Sequence, residues 1–272
     1  MSQVALVTGA TSGIGAATAV ALAERGYIVY GAGRRAERLA KLADRGVKGL
    51  AVDLTDGAAL EASVASVLQH HGCIDVLVNN AGYGAYGAIE DVSLDQARQQ
   101  LEVNVLGQMH LAQLVLPAMR QSGAGRIVNV TSMGGKLAMP YGGWYFASKH
   151  ALEALSDSLR QEVAPFGIKV IVVEPGVIRT EWSQVAGQHA TQSSTQNVYA
   201  GKASRTTDLM NRSWVQRLFS PPSVVAKTIV RAVQAERPRT RYSVGMGAKP
   251  LLFLRRVLPD RAMDKVVTTY FG

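Results

Sequence analysis

The sequence predicts an α/β protein built on a doubly wound parallel sheet with helices on both faces. Three observations predict it. Short apolar, β-branched runs alternate with longer helical patterns through the first two-thirds of the chain, and alternation of this kind builds βαβ units. The runs are apolar at successive positions, as strands covered on both faces must be. A glycine-rich turn joins the first run to the first helical pattern. Right-handed crossovers between such units wind the sheet in two directions from its middle.

Taken in order, 4–8 is an apolar strand, and 13–25 carries Ala and Leu at helical spacing. Strand-like 28–32 and 47–52 flank a helical pattern over 35–44. A helix is expected over 58–70 and a buried strand over 76–79. The pattern over 94–120 reads as one long helix with Pro117 near its end. Residues 126–131 form a strand, 144–163 a helix and 168–174 a strand. The pattern then changes. Residues 181–220 are rich in polar and small side chains, and so long an irregular stretch is read as a lid or binding loop. A functionless insertion is disfavoured because the stretch directly follows a strand C-terminus, where α/β proteins bind ligands. Pro221-Pro222-Ser223 reads as a helix start for 224–235, 241–244 as a last strand, and 249–258 as a Leu/Phe-faced segment. With no repeat and no linker, one domain over 1–272 is expected, with a cofactor half (1–140) and a catalytic and substrate half (141–272).

Bulk properties narrow the function classes. At 272 residues, 47% hydrophobic and 18% charged, the chain can build a large core and does not read as disordered. The single cysteine, Cys73, cannot form an internal disulfide, so no oxidising compartment is implied. The opening MSQVALVTGA lacks the basic and apolar regions of a secretory signal. No run of 18 apolar residues occurs, so no transmembrane helix is expected and the expected location is cytoplasmic. The net charge is +9, and residues 221–272 hold ten Lys or Arg against three Asp or Glu. Such a balance fits nucleic acid, an anionic membrane or an anionic cofactor. No nucleic-acid motif accompanies it, and no metal site is expected. The basic tail reads as a packed helix with a wet edge; contact with a membrane surface is the less favoured reading.

The run Thr8-Gly9-Ala10-Thr11-Ser12-Gly13-Ile14-Gly15 leaves a strand and opens a helix. Gly9 allows the tight turn, Gly13 lets backbone approach a pyrophosphate, and Gly15 lets the helix pack on the sheet. The helix start, with Thr11, Ser12 and Ile14 in the turn, offers N–H groups and a positive dipole end to phosphates. The GxxxGxG spacing resembles the TGxxxGIG signature of the short-chain dehydrogenase/reductase family. That resemblance implies a Rossmann-type sheet and a nicotinamide dinucleotide.

The second strand runs into Tyr30-Gly31-Ala32-Gly33-Arg34-Arg35. An acid there would bind a ribose 2′-hydroxyl; arginine suits a 2′-phosphate. NADP(H) is therefore expected over NAD(H), with Arg34 as the main contact and Arg35 as a second. The resemblance places Asp53, followed by Leu54, at the adenine; capping of the next helix is the alternative, which Thr55 could also fill. It likewise matches Asn79-Asn80-Ala81-Gly82 to the family's NNAG turn beside the adenosine.

Ser132 closes the fifth strand, Tyr145 lies 13 residues later and Lys149 four beyond it. Tyr145 and Lys149 share one helix face. With Asn104 on the preceding long helix, they resemble the family's Asn–Ser–Tyr–Lys tetrad. A tyrosine phenol titrates at about 10, and a neighbouring ammonium lowers it. Tyr145 would then exchange a proton with a carbonyl or alcohol oxygen, Ser132 would hydrogen-bond that oxygen, and Lys149 would supply the charge. From the family, Lys149 also holds the ribose and Asn104 positions a relay water. Pro175-Gly176-Val177-Ile178-Arg179-Thr180 matches the family's PGxxxT segment, which presents the Val177 backbone and the Thr180 hydroxyl to the carboxamide. The resemblance covers residues 4–180.

Tyr83, Tyr86, Met133, Met139, Trp144, Trp182, Trp214 and Phe219 fit an apolar pocket, and equally fit ordinary packing. The tail RYSVGMGAKPLLFLRRVLP resembles the 17β-hydroxysteroid and retinol dehydrogenase-like branch, which implies a carbonyl or alcohol on a steroid, retinoid or long-chain acyl body. The competing readings are an NAD-linked alcohol dehydrogenase of the same fold, a non-catalytic nicotinamide-sensing regulator and a nucleic-acid binder. The family also implies a homodimer or homotetramer built on the two long helices.

Overall fold

The computed structural model describes residues 2–181, 198–199 and 213–271. Its strands are β1 (Val4–Thr8), β2 (Ile28–Gly33), β3 (Val47–Ala51), β4 (Val76–Asn79), β5 (Gly125–Val130), β6 (Ile168–Pro175) and β7 (Arg241–Val244). Among the described residues they form one parallel sheet in the order β3-β2-β1-β4-β5-β6-β7. The chain winds outward from β1 to β3, crosses back, and continues from β4 to β7. The two directions part between β1 and β4, and a crevice opens there beyond the strand C-termini.

The intervening helices are α1 (Gly13–Ala23), α2 (Ala36–Ala40), α3 (Gly57–His71), α4 (Leu94–Leu101), α5 (Gly107–Ser122) and α6 (Gly143–Val163). After β6 come α7 (Ser213–Leu218), α8 (Pro222–Gln234), α9 (Ala248–Val257) and α10 (Asp260–Phe271). Because successive strand residues point to opposite faces, Leu6 and Leu77 join one core with α3 and α5, through Leu60 and Leu111. Their neighbours Val7 and Val78 join another with α1 and α8, through Leu22 and Ile229. Both faces are covered, which is why the strands carry no polar alternation.

Besides α7, which lies at the end of the stretch read as irregular, the fold departs from the predicted elements in four places. The long helix over 94–120 is split by a π turn, Glu102–Leu106. A Cβ on the next residue, Gly107, would stand 2.5 Å from the Leu54 carbonyl oxygen. The helix is therefore pressed against the end of β3, and the wider turn re-aims Asn104. The helix predicted over 35–44 is one short helix and a 3-10 turn ending at Gly46, whose φ of 77° stops it. The N-cap of α3 is neither Asp53 nor Thr55 but Asp56, which accepts from the Ala59 N–H at 3.0 Å. The fourth is α10, unanticipated in the sequence: Met263 and Val267, four apart, pack with Leu137.

Among the described residues no helix is long and apolar enough to cross a membrane.

Candidate active site

Every turn that follows a strand C-terminus at the crevice contributes to a cleft of about 650 Å³. All the predicted site residues line it except Gly15 and Asn104. Gly9 and Gly13 have φ of 66° and 55°, conformations that a side chain would strain. A Cβ on Gly9 would lie 2.8 Å from Asn80 Nδ2, and one on Gly15 would overlap the Gly9 carbonyl oxygen. The glycine turn, the α1 start and the Asn80 turn therefore stack on one another. Thr8, which sequence reasoning passed over, ties them. Its buried hydroxyl accepts the N–H groups of Asn80 (2.9 Å) and Ala81 (3.0 Å), while Asn80 Nδ2 donates to the Thr8 carbonyl (2.9 Å). The Ser12 hydroxyl that precedes α1 accepts no N–H of the helix itself. The orphan N–H groups and dipole of α1 face the cleft, a cradle that fits a pyrophosphate. Gly15→Ala is expected to lower the melting temperature, through about 1–3 kcal/mol of overpacking, and to weaken dinucleotide binding with it. A thermal melt and a titration check this.

At the far end of the cleft the two predicted arginines differ. The Arg34 side chain is 74% exposed and stands 3.7 Å from Asp53. Arg35 is built into the site. Its Nε and Nη2 donate to Thr11 Oγ1 at 3.2 and 3.0 Å, its Nη2 also to Ser12 Oγ at 3.1 Å, and its Nη1 to Glu181 Oε2 at 3.1 Å. Arg38, not singled out from the sequence, donates to Glu181 Oε1 at 2.6 Å. These bonds from Arg38 and Arg35 hold the Glu181 carboxyl below its ordinary range. Arg35 thus carries its positive charge onto the glycine turn, and Arg34 stands exposed on the same cleft. Asp53 accepts from both the N–H and the hydroxyl of Thr55, at 3.0 Å each, which fixes its carboxylate on the cleft wall.

Ser132 lies just beyond β5, at the start of a 3-10 turn, Met133–Gly135. The Gly134 N–H donates to Ser132 Oγ at 3.0 Å, which orients the hydroxyl. Tyr145, on α6, is buried against the rings of Tyr86 and Phe146. Burial pushes its phenol up to about 12, against a side-chain hydrogen bond with Ser132 that lowers it. Lys149, expected to lower it, makes no such contribution in this structure. Lys149 is 5% exposed and donates from Nζ to the Val130 carbonyl at 3.0 Å. Burial brings its ammonium down to about 8, opposed by the Glu153 carboxylate. The protein's own groups thus leave Tyr145 an uncharged proton donor one helical turn from a lysine brought down to about 8.

Asn104 is fully buried. Both its amide hydrogens are used, by the Tyr83 carbonyl (2.9 Å) and Ser148 Oγ (3.0 Å), and its Oδ1 accepts the Tyr83 N–H (3.1 Å). Its side chain positions the loop over the cleft. A Cβ on Gly82 would lie 3.0 Å from Asn104 Oδ1 and 3.6 Å from Lys149 Nζ, so the bare glycine packs between the two. At the PGxxxT segment, Val177 lines the cleft and its backbone is paired within the protein. Its N–H donates to the Met246 carbonyl at 2.9 Å, because the loop after β7 pairs with it. Ile178 lies on the cleft wall beside it, and Thr180 stands against Gly13, within 3.0 Å of where its Cβ would be.

Of the large side chains expected near a substrate, Tyr83, Tyr86, Met133, Met139 and Phe219 line the cleft, together with Phe146. Trp144 does not: one residue from Tyr145, it points about 100° around the helix. Trp182 and the Trp214 side chain, with most of the predicted 181–220 lid, lie outside the described residues.

The family model described as short chain dehydrogenase matches residues 3–191. The chain is 34% identical to a 3-ketodihydrosphingosine reductase of Bacteroides thetaiotaomicron, over 99% of this chain and 98% of that one. It is also 34% identical to human retinol dehydrogenase 5, over 96% and 86%. A short-chain dehydrogenase of Streptomyces avermitilis superposes with a TM-score of 0.81 at 34% identity, covering 99% of this chain and 96% of that one. Two further solved structures hold cofactor. A metagenomic short-chain oxidoreductase is in complex with NADP (TM-score 0.70, 28% identity, 89% and 96% covered), and a Burkholderia phymatum member with NAD (0.82, 25%, 100% and 96%).

Proposed function

The chain belongs to the short-chain dehydrogenase/reductase family and is an oxidoreductase, and from that premise we propose that it reduces an apolar ketone or aldehyde with NADPH. The observation that carries the reading is Tyr145, a buried phenol hydrogen-bonded with Ser132 at the wall of an apolar cleft and one helical turn from Lys149.

The glycine turn and the α1 N-terminus would hold the pyrophosphate. Asp53, Leu54 and the turn Asn80-Ala81-Gly82 would flank the adenosine, Arg34 and Arg35 the 2′-phosphate, and Pro175, Gly176, Val177 and Thr180 the nicotinamide end. A nicotinamide bound there supplies or accepts the hydride. Ser132 donates a hydrogen bond to the substrate oxygen and stabilises the charge that develops on it. Tyr145 Oη gives that oxygen its proton, and Lys149 favours the phenolate left behind. Asn104 keeps its place as a positioning residue, across Gly82 from Lys149.

NADPH is favoured because Arg34 and Arg35 directly follow β2, both line the cleft, and no acid closes that strand. The substrate class rests on the Tyr86, Met139 and Phe146 wall and on two relatives whose names specify a ketodihydrosphingosine and retinol, both with long apolar bodies. The same reading takes residues 1–140 and 141–272 as the cofactor and substrate halves of one domain, working in the cytoplasm with its lone Cys73 reduced. Exposed Ile89, Leu94, Leu106 and Leu155 mark the long-helix face for a second copy of the chain.

A fluorescence titration with NADPH and NADH tests the cofactor. Arg35→Ala removes charge-assisted hydrogen bonds worth about 1.5–3 kcal/mol. It is expected to raise the NADPH Kd at least about tenfold and the NADH Kd by clearly less, the residual loss coming from the glycine turn that both nucleotides share, and Arg34→Ala should act on NADPH alone. Equal or tighter NADH binding, unmoved by either substitution, would sink the assignment and move NAD-linked alcohol oxidation to first place. NADPH oxidation with retinal, estrone and 3-ketodihydrosphingosine then sorts the substrate class.

A further inference from the structure

We propose that Glu153 is a positioning residue for the reaction: its buried carboxylate clamps the turn carrying Ser132 against the helix carrying Tyr145 and Lys149. The inference rests on the catalytic roles assigned above to Ser132 and Tyr145.

Glu153 lies on α6, one turn beyond Lys149 and two beyond Tyr145, and is 2% exposed. Its two oxygens reach both ends of the Ser132 turn. The Thr131 hydroxyl donates to Oε1 at 2.7 Å, immediately before Ser132. The Lys136 ammonium lies 3.0 Å from Oε2, immediately after Gly135. Between those anchors the turn rests on α6 with no side chain intervening. A Cβ on Gly135 would stand 2.8 Å from Glu153 Cγ and 3.2 Å from the Lys149 carbonyl, and one on Gly134 would stand 2.7 Å from Phe146. Residues 146, 149 and 153 form one ridge of the helix, so the turn is seated along the ridge that bears the catalytic lysine. Gly134 is also the residue whose N–H orients Ser132 Oγ. A shift of the turn therefore moves the hydroxyl that meets the substrate.

A third partner steadies the carboxylate from behind. Arg241 on β7 donates through Nε and Nη2 to Glu153 Oε2, at 3.1 Å each, and through Nη2 to Asp157 Oδ2 at 2.6 Å. Glu174 on β6 stands 3.6 Å from Arg241 Nε and accepts the Ser243 hydroxyl. A buried carboxylate is expensive unless its lone pairs are met. Here they are met by Thr131 and Lys136 at the two ends of the turn and by Arg241 on β7, and a leucine of similar volume would fill the space without joining them. Sequence proximity hides the arrangement: the partners of Glu153 stand 22, 17 and 88 residues away.

Glu153→Gln keeps the shape and an acceptor for Thr131 but loses the anion that holds Lys136 and Arg241. Hydrogen exchange across 131–136 is expected to speed up by about tenfold or more, since the turn loses charged anchors. Turnover should fall with it. A misplaced Ser132 costs kcat for NADPH-dependent reduction of 3-ketodihydrosphingosine about tenfold or more, while the NADPH Kd stays within about twofold. Wild-type exchange and wild-type kcat would overturn the clamp. If Glu153→Gln does not fold, Lys136→Met decides. It alters a side chain 37% exposed and should show the same split between kcat and Kd, at about threefold; no change in either exchange or kcat would overturn the proposal. Tyr145→Phe separates the two readings. Full activity in that variant removes the catalytic assignment, while the exchange experiment still decides whether Glu153 holds the turn.

Discussion

Tyr145→Phe is expected to lower kcat for carbonyl reduction by roughly 10²–10⁴-fold, the range contributed by a positioned general acid, while the NADPH Kd stays close to wild type. The substitution removes only the hydroxyl. The ring contacts with Tyr86 and Phe146 survive in phenylalanine, so the site should keep its shape and a thermal melt should move little. The phenol's surroundings also set a direction with pH. Burial holds Tyr145 up to about 12, so throughout the neutral range it carries its proton and can act as an acid. Alcohol oxidation needs the deprotonated form, whose population grows as pH rises. Oxidation by the wild type should therefore rise with pH while reduction should not, and in Tyr145→Phe neither limb should remain. A reduction rate within a few fold of wild type in Tyr145→Phe would move the proton donor elsewhere.

The parts of this site that are legible in the sequence are those coded by short-range spacing. Gly9, Gly13 and Gly15 sit between a strand and a helix, and their turn has the conformation that the spacing implies. Tyr145 and Lys149, four apart, share a helix face wherever the helix goes. What is not legible depends on partners far away along the chain. Whether Arg34 or Arg35 folds onto the glycine turn is decided by Thr11, Ser12 and Glu181. The use of the Val177 N–H is decided by Met246, in a loop that reaches it only because β7 pairs with β6. The π turn at Asn104 follows from the close approach of Gly107 to Leu54, and helical periodicity, nearly the same on both sides of the turn, gives no sign of it. The lid predicted over 181–220 falls mostly outside the described residues.

Lys149→Met should separate activity from stability in opposite directions. Activity should fall roughly 10²-fold or more, because the cation that favours the Tyr145 phenolate is gone. Stability should rise. Lys149 is buried, and its ammonium comes down from the ordinary 10.5 to about 8, so the unfolded chain holds a proton at Lys149 more tightly than the folded one. Between about pH 8 and 10.5 the unfolded state binds the extra proton, and stability climbs with pH across that window. Below it, folding carries the full cost of burying the charge. That cost is on the order of 3–4 kcal/mol, since each tenfold loss of proton affinity is worth about 1.4 kcal/mol, and methionine of similar length removes it. Urea denaturation at pH 7 and pH 10 measures both effects. Lys149→Met should be the more stable protein at pH 7, and the wild type should gain on it as pH rises. A variant that is less stable than wild type at pH 7 would show that the Val130 carbonyl and the Glu153 carboxylate together do more for the folded state through the ammonium than burial takes away. In that case Lys149 would be as much a part of the scaffold as of the chemistry. Sites built for activity commonly trade stability for it, and a buried lysine one turn from the proton donor is where that trade is expected here.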